Sequence, residues 1–421
     1  MKFACIFVMV LALSMTSPVL AEETRPVENL SRLIDTAVAD NPELKASEAR
    51  WQVFRNKVSQ VRSLDDPMLT LKIQNGIFTD PLNFGKDSMT QKVIGISQQL
   101  PFWGKRGLKG EVAEQEAESY RFTLAERKLE LARMVKENYY QIYSIDKALI
   151  IVDKNLKILE DFTTLAETRY AVGKGNQQDI FKAQLEHSRL LDQRLALEQQ
   201  RRSLESNLNA LLSRPSGTPV GKIPDFAIAP PAADNDRLRT IAEDNRPLLQ
   251  SYRALMKKGE AGRALAAKES YPDFNVFFEY MQRDPANREE GLDMYSLGVT
   301  FNLPLHRERR HAMVAEASAE TAMANEELNA ARNTIAAGIG DLLAQLDRRR
   351  KQIELYRTGI IPQAEKSLES ASIGYQVGKV DFLTLLDSRV TLFNYERELY
   401  DSMADYQIRR AQLEAVVGKE L

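Results

Sequence analysis

The chain offers few side chains of the kind that do covalent or metal chemistry. Its histidines are His187, His306 and His311. His306 and His311 stand five apart, which misses the i, i+4 spacing that puts two imidazoles on one helix face around a metal. The single cysteine, Cys5, falls in an apolar N-terminal run. Once that run is removed, no disulfide framework, thiolate site or cysteine nucleophile is left. No glycine-rich phosphate loop and no nucleophile elbow is present. The expectation is no catalytic site, no cofactor and no resident metal. What remains is placement of charge: acids and tyrosines at recurring positions, and basic clusters beside short strands.

The first residues set the compartment. Lys2 precedes the uncharged run Phe3 to Leu13, and Ser14 to Ala21 ends in Val19-x-Ala21. That is the pattern of a secretory signal over residues 1–21, cleaved after Ala21. The run is shorter than the roughly 20 residues a membrane-spanning helix needs. No cysteine follows the cleavage site, so no lipid anchor is expected there. The formal charge of −2 gives no nucleic-acid footprint. After Ala21 no apolar stretch is long enough to span a bilayer as a helix. Any crossing must use strands of a closed barrel, because lipid offers the backbone no partners.

The elements that must position the charged residues come in duplicate. Asp40-Asn41-Pro42 recurs as Asp244-Asn245-Arg246-Pro247, and Asp66-Pro67-Met68-Leu69 as Tyr271-Pro272-Asp273-Phe274. Gln99-Leu100-Pro101-Phe102 returns as Asn302-Leu303-Pro304-Leu305, and Arg169-Tyr170-Ala171-Val172-Gly173-Lys174 as Gly374-Tyr375-Gln376-Val377-Gly378-Lys379. Four landmarks in one register are a repeat. The first repeat covers 22–212: a helix over 29–63, strands near 68–74 and 91–99, and a helical hairpin over 105–212. The second covers 237–421: a helix over 237–269, strands near 274–280 and 293–302, and a hairpin over 305–418. Between them 213–236, with prolines at 215, 219, 224, 230 and 231, reads as an extended linker rather than a packed element.

The strands show period-two alternation. Leu69, Leu71 and Ile73 share a face, as do Phe274, Val276, Phe278 and Tyr280, and Tyr295, Leu297, Val299 and Phe301; the segment from Val93 to Gln99 is the least regular. Polar loops at 75–90 and 281–292 join them. After the strands, Glu111 to Val172 contains no glycine or proline. The same holds for Asn176 to Arg214 and for Lys379 to Val417. Leu190, Leu197, Leu204 and Leu211 fall seven apart, as do Leu385, Leu392, Leu399, Tyr406 and Leu413, a coiled-coil spacing. Four strands cannot close a barrel alone, so strands must be pooled between chains. The fold class expected is an α+β membrane protein with duplicated long helical hairpins.

This order of elements resembles the TolC family of outer-membrane efflux proteins across the whole mature chain. The Tyr-x-x-Gly motifs at Tyr170–Gly173 and Tyr375–Gly378 carry the resemblance, with Ser97-Gln98-Gln99-Leu100-Pro101 and Gly104-Lys105-Arg106. It implies a homotrimer whose 12-stranded barrel takes four strands from each chain. It implies a periplasmic α-barrel, a periplasmic adaptor and an inner-membrane pump as partners, and contact with outer-membrane lipid. The cargo it implies is a drug, a protein or, from the last two motifs, a heavy-metal cation. The alternative from another class is a periplasmic coiled-coil adaptor.

The resemblance also nominates working residues. Gly173 and Gly378 sit at the hairpin tips, and Asp179 and Tyr375 match positions that hold the periplasmic end shut. Asp387 matches one acidic ring of the entrance. Two positions depart from the pattern: Val380 stands where an arginine joins the closing network, and Thr384 where a second acidic ring would be. Three Asp387 carboxylates around one lumen would favour cations. Equally, Asp179 and Asp387 suit solvated acids near helix N-termini, where the dipole favours them. Pro101 and Pro304 redirect the chain from strand to helix. Lys105, Arg106 and Lys109, with Arg307, Arg309 and Arg310, suit either lipid phosphates or a solvated face. Trp103 and Tyr280 fit an aromatic belt, though helix packing suits the tryptophan as well.

Overall fold

The computed structural model describes residues 27–230, 233–286 and 288–421; the expected export signal lies outside them. The first half runs α1 (Leu30–Asp40), α2 (Pro42–Arg62), β1 (Met68–Gln74), β2 (Gln91–Leu100), α3 (Lys105–Ala171) and α4 (Gln177–Leu211). The second runs α5 (Asn235–Asn245), α6 (Pro247–Lys268), β3 (Phe274–Arg283), β4 (Met294–Phe301), α7 (Arg307–Leu355), α8 (Ile361–Gln376) and α9 (Phe382–Val417). A π-helical turn, Tyr356–Ile360, links α7 to α8 just before Pro362, whose missing N–H the wider turn absorbs. At 67 residues, α3 extends about 100 Å.

The single helices expected over 29–63 and 237–269 are each two. Proline at 42 and 247 disfavours helical backbone at the residue before it. Asn41 accordingly holds ψ at 122°, and its Oδ1 accepts from the amides of Glu43 (2.9 Å) and Leu44 (3.2 Å). The equivalent residue, Arg246, has no acceptor to offer. Glu126 of α3 replaces it, accepting from the Leu248 amide at 3.2 Å and pairing with the Arg246 guanidinium. Burial pushes the Glu126 carboxyl above its ordinary range, against the pull of Arg246.

The four strands form one antiparallel sheet in the order β1-β2-β3-β4. The β2–β3 ladder joins the two halves, and it carries β3 on to Arg283, beyond the expected end, because Met281 to Arg283 pair with Val93 to Gln91. Register makes the two faces unlike. One carries rows such as Leu71, Ile94, Tyr280, Tyr295 and Leu69, Ile96, Phe278, Leu297. The other carries Thr70, Gly95, Glu279, Ser296 in line, with a Lys72–Glu279 ion pair at 2.9 Å. Among the described residues, β1 and β4 each pair on one side only.

The helices pack along α3. Of the sevenfold series, Leu190, Leu197, Leu385, Leu392, Tyr406 and Leu413 are buried. The expected free linker is instead a packed strap. Pro219 and Pro224 keep it extended while Val220 and Ile223 enter the core formed with Leu131, Val135 and Leu208. Phe226 packs at a tilt on Tyr143, ring centres 4.6 Å apart, and Tyr143 donates to Asp225 at 2.9 Å. Fully buried Asn209 donates to the carbonyls of Ser216 and Thr218.

Candidate functional site

The two hairpin tips end their first helices in the same way. Gly173 (φ 71°) and Gly378 (φ 76°) occupy the left-handed region that L side chains resist. Lys174 N–H reaches back to the Arg169 carbonyl at 2.8 Å, and Lys379 N–H to that of Gly374 at 2.8 Å. Both turns are Schellman closures. The glycines of the two Tyr-x-x-Gly motifs are thus required by backbone conformation.

The tyrosines differ. Tyr170 is exposed, whereas Tyr375 is buried among Ala166, Ala183, Phe382 and Leu385. Burial, and then the Asp179 carboxylate, raise the Tyr375 phenol above its ordinary range. Asp179 and Tyr375, nominated together from sequence, do approach each other across the hairpins. The Tyr375 hydroxyl nevertheless has no hydrogen-bond partner among the described residues.

The side chain that ties the tips is Arg169, which sequence reasoning did not nominate. Its guanidinium donates to the Tyr375 carbonyl, to the Gln376 carbonyl at 3.0 Å and to the Lys174 carbonyl at 3.2 Å. It also lies 4.6 Å from the centre of the Tyr375 ring. The signal was present in the repeat. Arg169 aligns with Gly374, and Gly175 with Val380, so large and small residues exchange places between tips. A Cβ on Gly374 would meet Val380 Cγ2 at 2.6 Å, and one on Gly175 would meet Arg169 Cβ at 3.1 Å. Val380 therefore fills in one tip the room that Arg169 takes in the other.

Asp387 lies about 8 Å along α9 from its start, exposed and without a partner among the described residues. Thr384 belongs to the helix cap: its amide donates to Asp381 Oδ1 at 2.8 Å. At the other end of the hairpins, the basic cluster divides. Lys105 is 1% exposed and turned inward, with Nζ 2.9 Å from the Tyr271 carbonyl, 3.0 Å from Asp273 and 3.4 Å from Glu269. It cannot face lipid. Arg310 also turns in, donating to the Glu269 carbonyl at 2.7 Å. Arg106, Lys109, Arg307 and Arg309 are exposed. No group of three or more metal-ligating side chains comes together among the described residues.

A duplicated hairpin fold with a two-faced sheet at one end and clasped tips at the other has known counterparts. Residues 33–214 and 238–419 each match the family described as outer membrane efflux protein. The chain belongs to that family. It is an outer-membrane efflux channel protein that extends into the periplasm, which sets the adaptor alternative aside. It is 24% identical over 382 residues to the cobalt-zinc-cadmium resistance protein CzcC of Cupriavidus metallidurans, covering 89% of this chain and 86% of CzcC. To the pyoverdine export outer membrane protein OpmQ of Pseudomonas aeruginosa it is 23% identical over 332 residues, covering 77% and 68%. The fold is similar to that of VceC from Vibrio cholerae, with TM-score 0.78 at 17% identity over 93% of this chain and 96% of VceC. CusC gives TM-score 0.78 at 16% identity over 94% and 93%.

Proposed function

We propose that three copies of this channel protein pool their sheets into one 12-stranded barrel, continued into the periplasm by a tube of helical hairpins. The observation that supports it is the sheet: one apolar face, an opposite face carrying Lys72, Glu279 and Ser296, and two open edges, in a chain with no helix among the described residues long and apolar enough to span a membrane. Edges left open in lipid would cost several kcal/mol per unpaired group, and pairing β4 of one copy with β1 of the next removes them. The apolar face then meets lipid and the face with Lys72 and Glu279 lines water. At the other end the tips of α3, α4, α8 and α9 meet a periplasmic adaptor, which passes cargo from an inner-membrane pump. The likeness to CzcC favours a heavy-metal cation as cargo, selected by the pump.

Negative-stain imaging of the detergent-extracted outer-membrane fraction tests this. An elongated trimer with a short barrel at one end is expected; a soluble or monomeric rod would overturn it. Asp387, Asp179, Tyr375, Gly173 and Gly378 form the entrance in this reading. With three Asp387 carboxylates facing the lumen, Asp387→Ala raises closed-channel conductance in planar bilayers and moves the cation-to-anion permeability ratio toward unity. Unchanged values would remove Asp387 from the entrance.

A further inference from the structure

The junction between sheet and helices holds a cavity of about 450 Å³, within the common range for ligand pockets of about 300–1,000 Å³. Its walls include Leu100, Phe274, Val276 and Val299, all on the apolar face of the sheet at its helix-proximal end. Trp103 and Arg106 form the side where α3 begins. Gly104 (φ 86°) sets their directions, because the left-handed turn lets Lys105 go inward while Trp103 stays 76% exposed. The indole packs on Phe274 with ring centres 5.7 Å apart, and Lys268 Nζ donates to the Trp103 carbonyl at 3.2 Å.

The charges at this mouth are unequal in their commitments. Asp273 already pairs with Lys105 at 3.0 Å and accepts the Phe102 amide at 2.8 Å. Arg106 and Lys109 have no hydrogen-bonding or ion-pair partner among the described residues. Exposed Leu303 and Leu305, leading into Arg307 and Arg309, repeat the pattern of apolar residues followed by free cations in the second half. An apolar recess opening on the lipid face beside an uncommitted guanidinium is complementary to an amphiphile with an anionic head.

We propose that this cavity is a binding site for one anionic phospholipid, its acyl chain against Trp103, Phe274, Val276 and Val299 and its phosphodiester on Arg106. The proposal rests on the barrel reading, which turns the apolar face to lipid, and goes beyond it by selecting a headgroup. Arg106 presents a planar fork suited to phosphate, and the indole sits where ring and headgroup both find partners.

The test uses the full trimer carrying Trp51→Phe, which leaves Trp103 as the single tryptophan of the original two. It is reconstituted in phosphatidylcholine vesicles containing brominated phosphatidylglycerol or, at the same mole fraction, brominated phosphatidylcholine. Stronger quenching of Trp103 by the anionic phosphatidylglycerol is expected, a preference of about fivefold for each basic side chain engaged. Arg106→Gln should abolish the preference and Arg106→Lys restore part of it. Equal quenching by the two lipids, or a preference untouched by Arg106→Gln, overturns the site. Loss of the preference on adding inorganic phosphate would reduce it to a free-anion site. No quenching by either lipid would instead refute the barrel reading. Should Trp51→Phe fail to fold, subtracting the signal of Trp103→Phe from that of the parent isolates the same indole.

Discussion

Replacing Arg169 by alanine is expected to raise the conductance of the closed channel more than any other single change at the tips. Among the described residues the Arg169 guanidinium is the one side-chain group that bonds both tips of the same chain, through the carbonyls of Tyr375, Gln376 and Lys174. Hydrogen bonds from a charged donor contribute about 1.5–3 kcal/mol each, and less when summed over one side chain. A net loss of about 2–3 kcal/mol would shift a two-state opening by roughly 30- to 150-fold. Arg169→Lys should recover only part of the clasp, since an ammonium lacks the planar fork. Tyr375→Phe should change conductance little, because the hydroxyl it removes has no hydrogen-bond partner among the described residues, while the carbonyl and ring that Arg169 holds remain. Planar-bilayer recordings of the three variants decide the matter. A folded Arg169→Ala channel with the parent's closed conductance would show that the clasp does not hold the tips shut.

Lys105→Met should cost the most stability at the opposite end. The ammonium is buried at the joint where β2, α3, α6 and β3 converge, and it answers Asp273, Glu269 and the Tyr271 carbonyl together. Methionine matches the stem but leaves two carboxylates facing each other. Removing one partner of a buried ion pair costs about 3–5 kcal/mol. The carboxylates retain 24% and 30% exposure, so roughly 2–4 kcal/mol is the expected loss. In a chain of this size that lowers the midpoint of thermal unfolding by about 2–5 °C. Helical circular dichroism of the detergent-solubilised protein reads the shift. Arg106→Gln, one residue away but exposed, should leave the midpoint where it is; a parent-like midpoint for Lys105→Met would contradict the burial argument.

Asn41-Pro42 and Arg246-Pro247 show how a legible signal can be under-read. The prolines stand in the repeated motif and their effect on the preceding residue is local, yet the expectation was one unbroken helix over 29–63 and one over 237–269. The caps that make each break stable have different origins: Asn41 caps its own helix, whereas Glu126 reaches in from α3. Only the first of these could be read from neighbours in sequence. Val220 and Ile223 tell the same story for the strap, since proline composition predicts an extended backbone but not what that backbone packs against.

What the sequence by itself determined were properties of short range and of repetition. Alternation assigned Leu69, Leu71 and Ile73 to one face, because side chains on a strand take opposite sides by geometry alone. The absence of glycine and proline over long stretches fixed the helices, and the recurrence of Tyr-x-x-Gly marked turns that need a positive φ. Asp179 and Tyr375 were each nominated by resemblance alone; that the Asp179 carboxylate lies close enough to act on the Tyr375 phenol came from the fold. Only the tertiary structure decided that Arg169 reaches carbonyls more than 200 residues away, that Lys105 turns inward while Arg106 stays free, and that Val380 fills the space left by Gly374. A long flexible cation carries no periodicity and no preferred partner in its own segment. Its partner is set by whichever distant backbone the packing of rigid helices brings within reach.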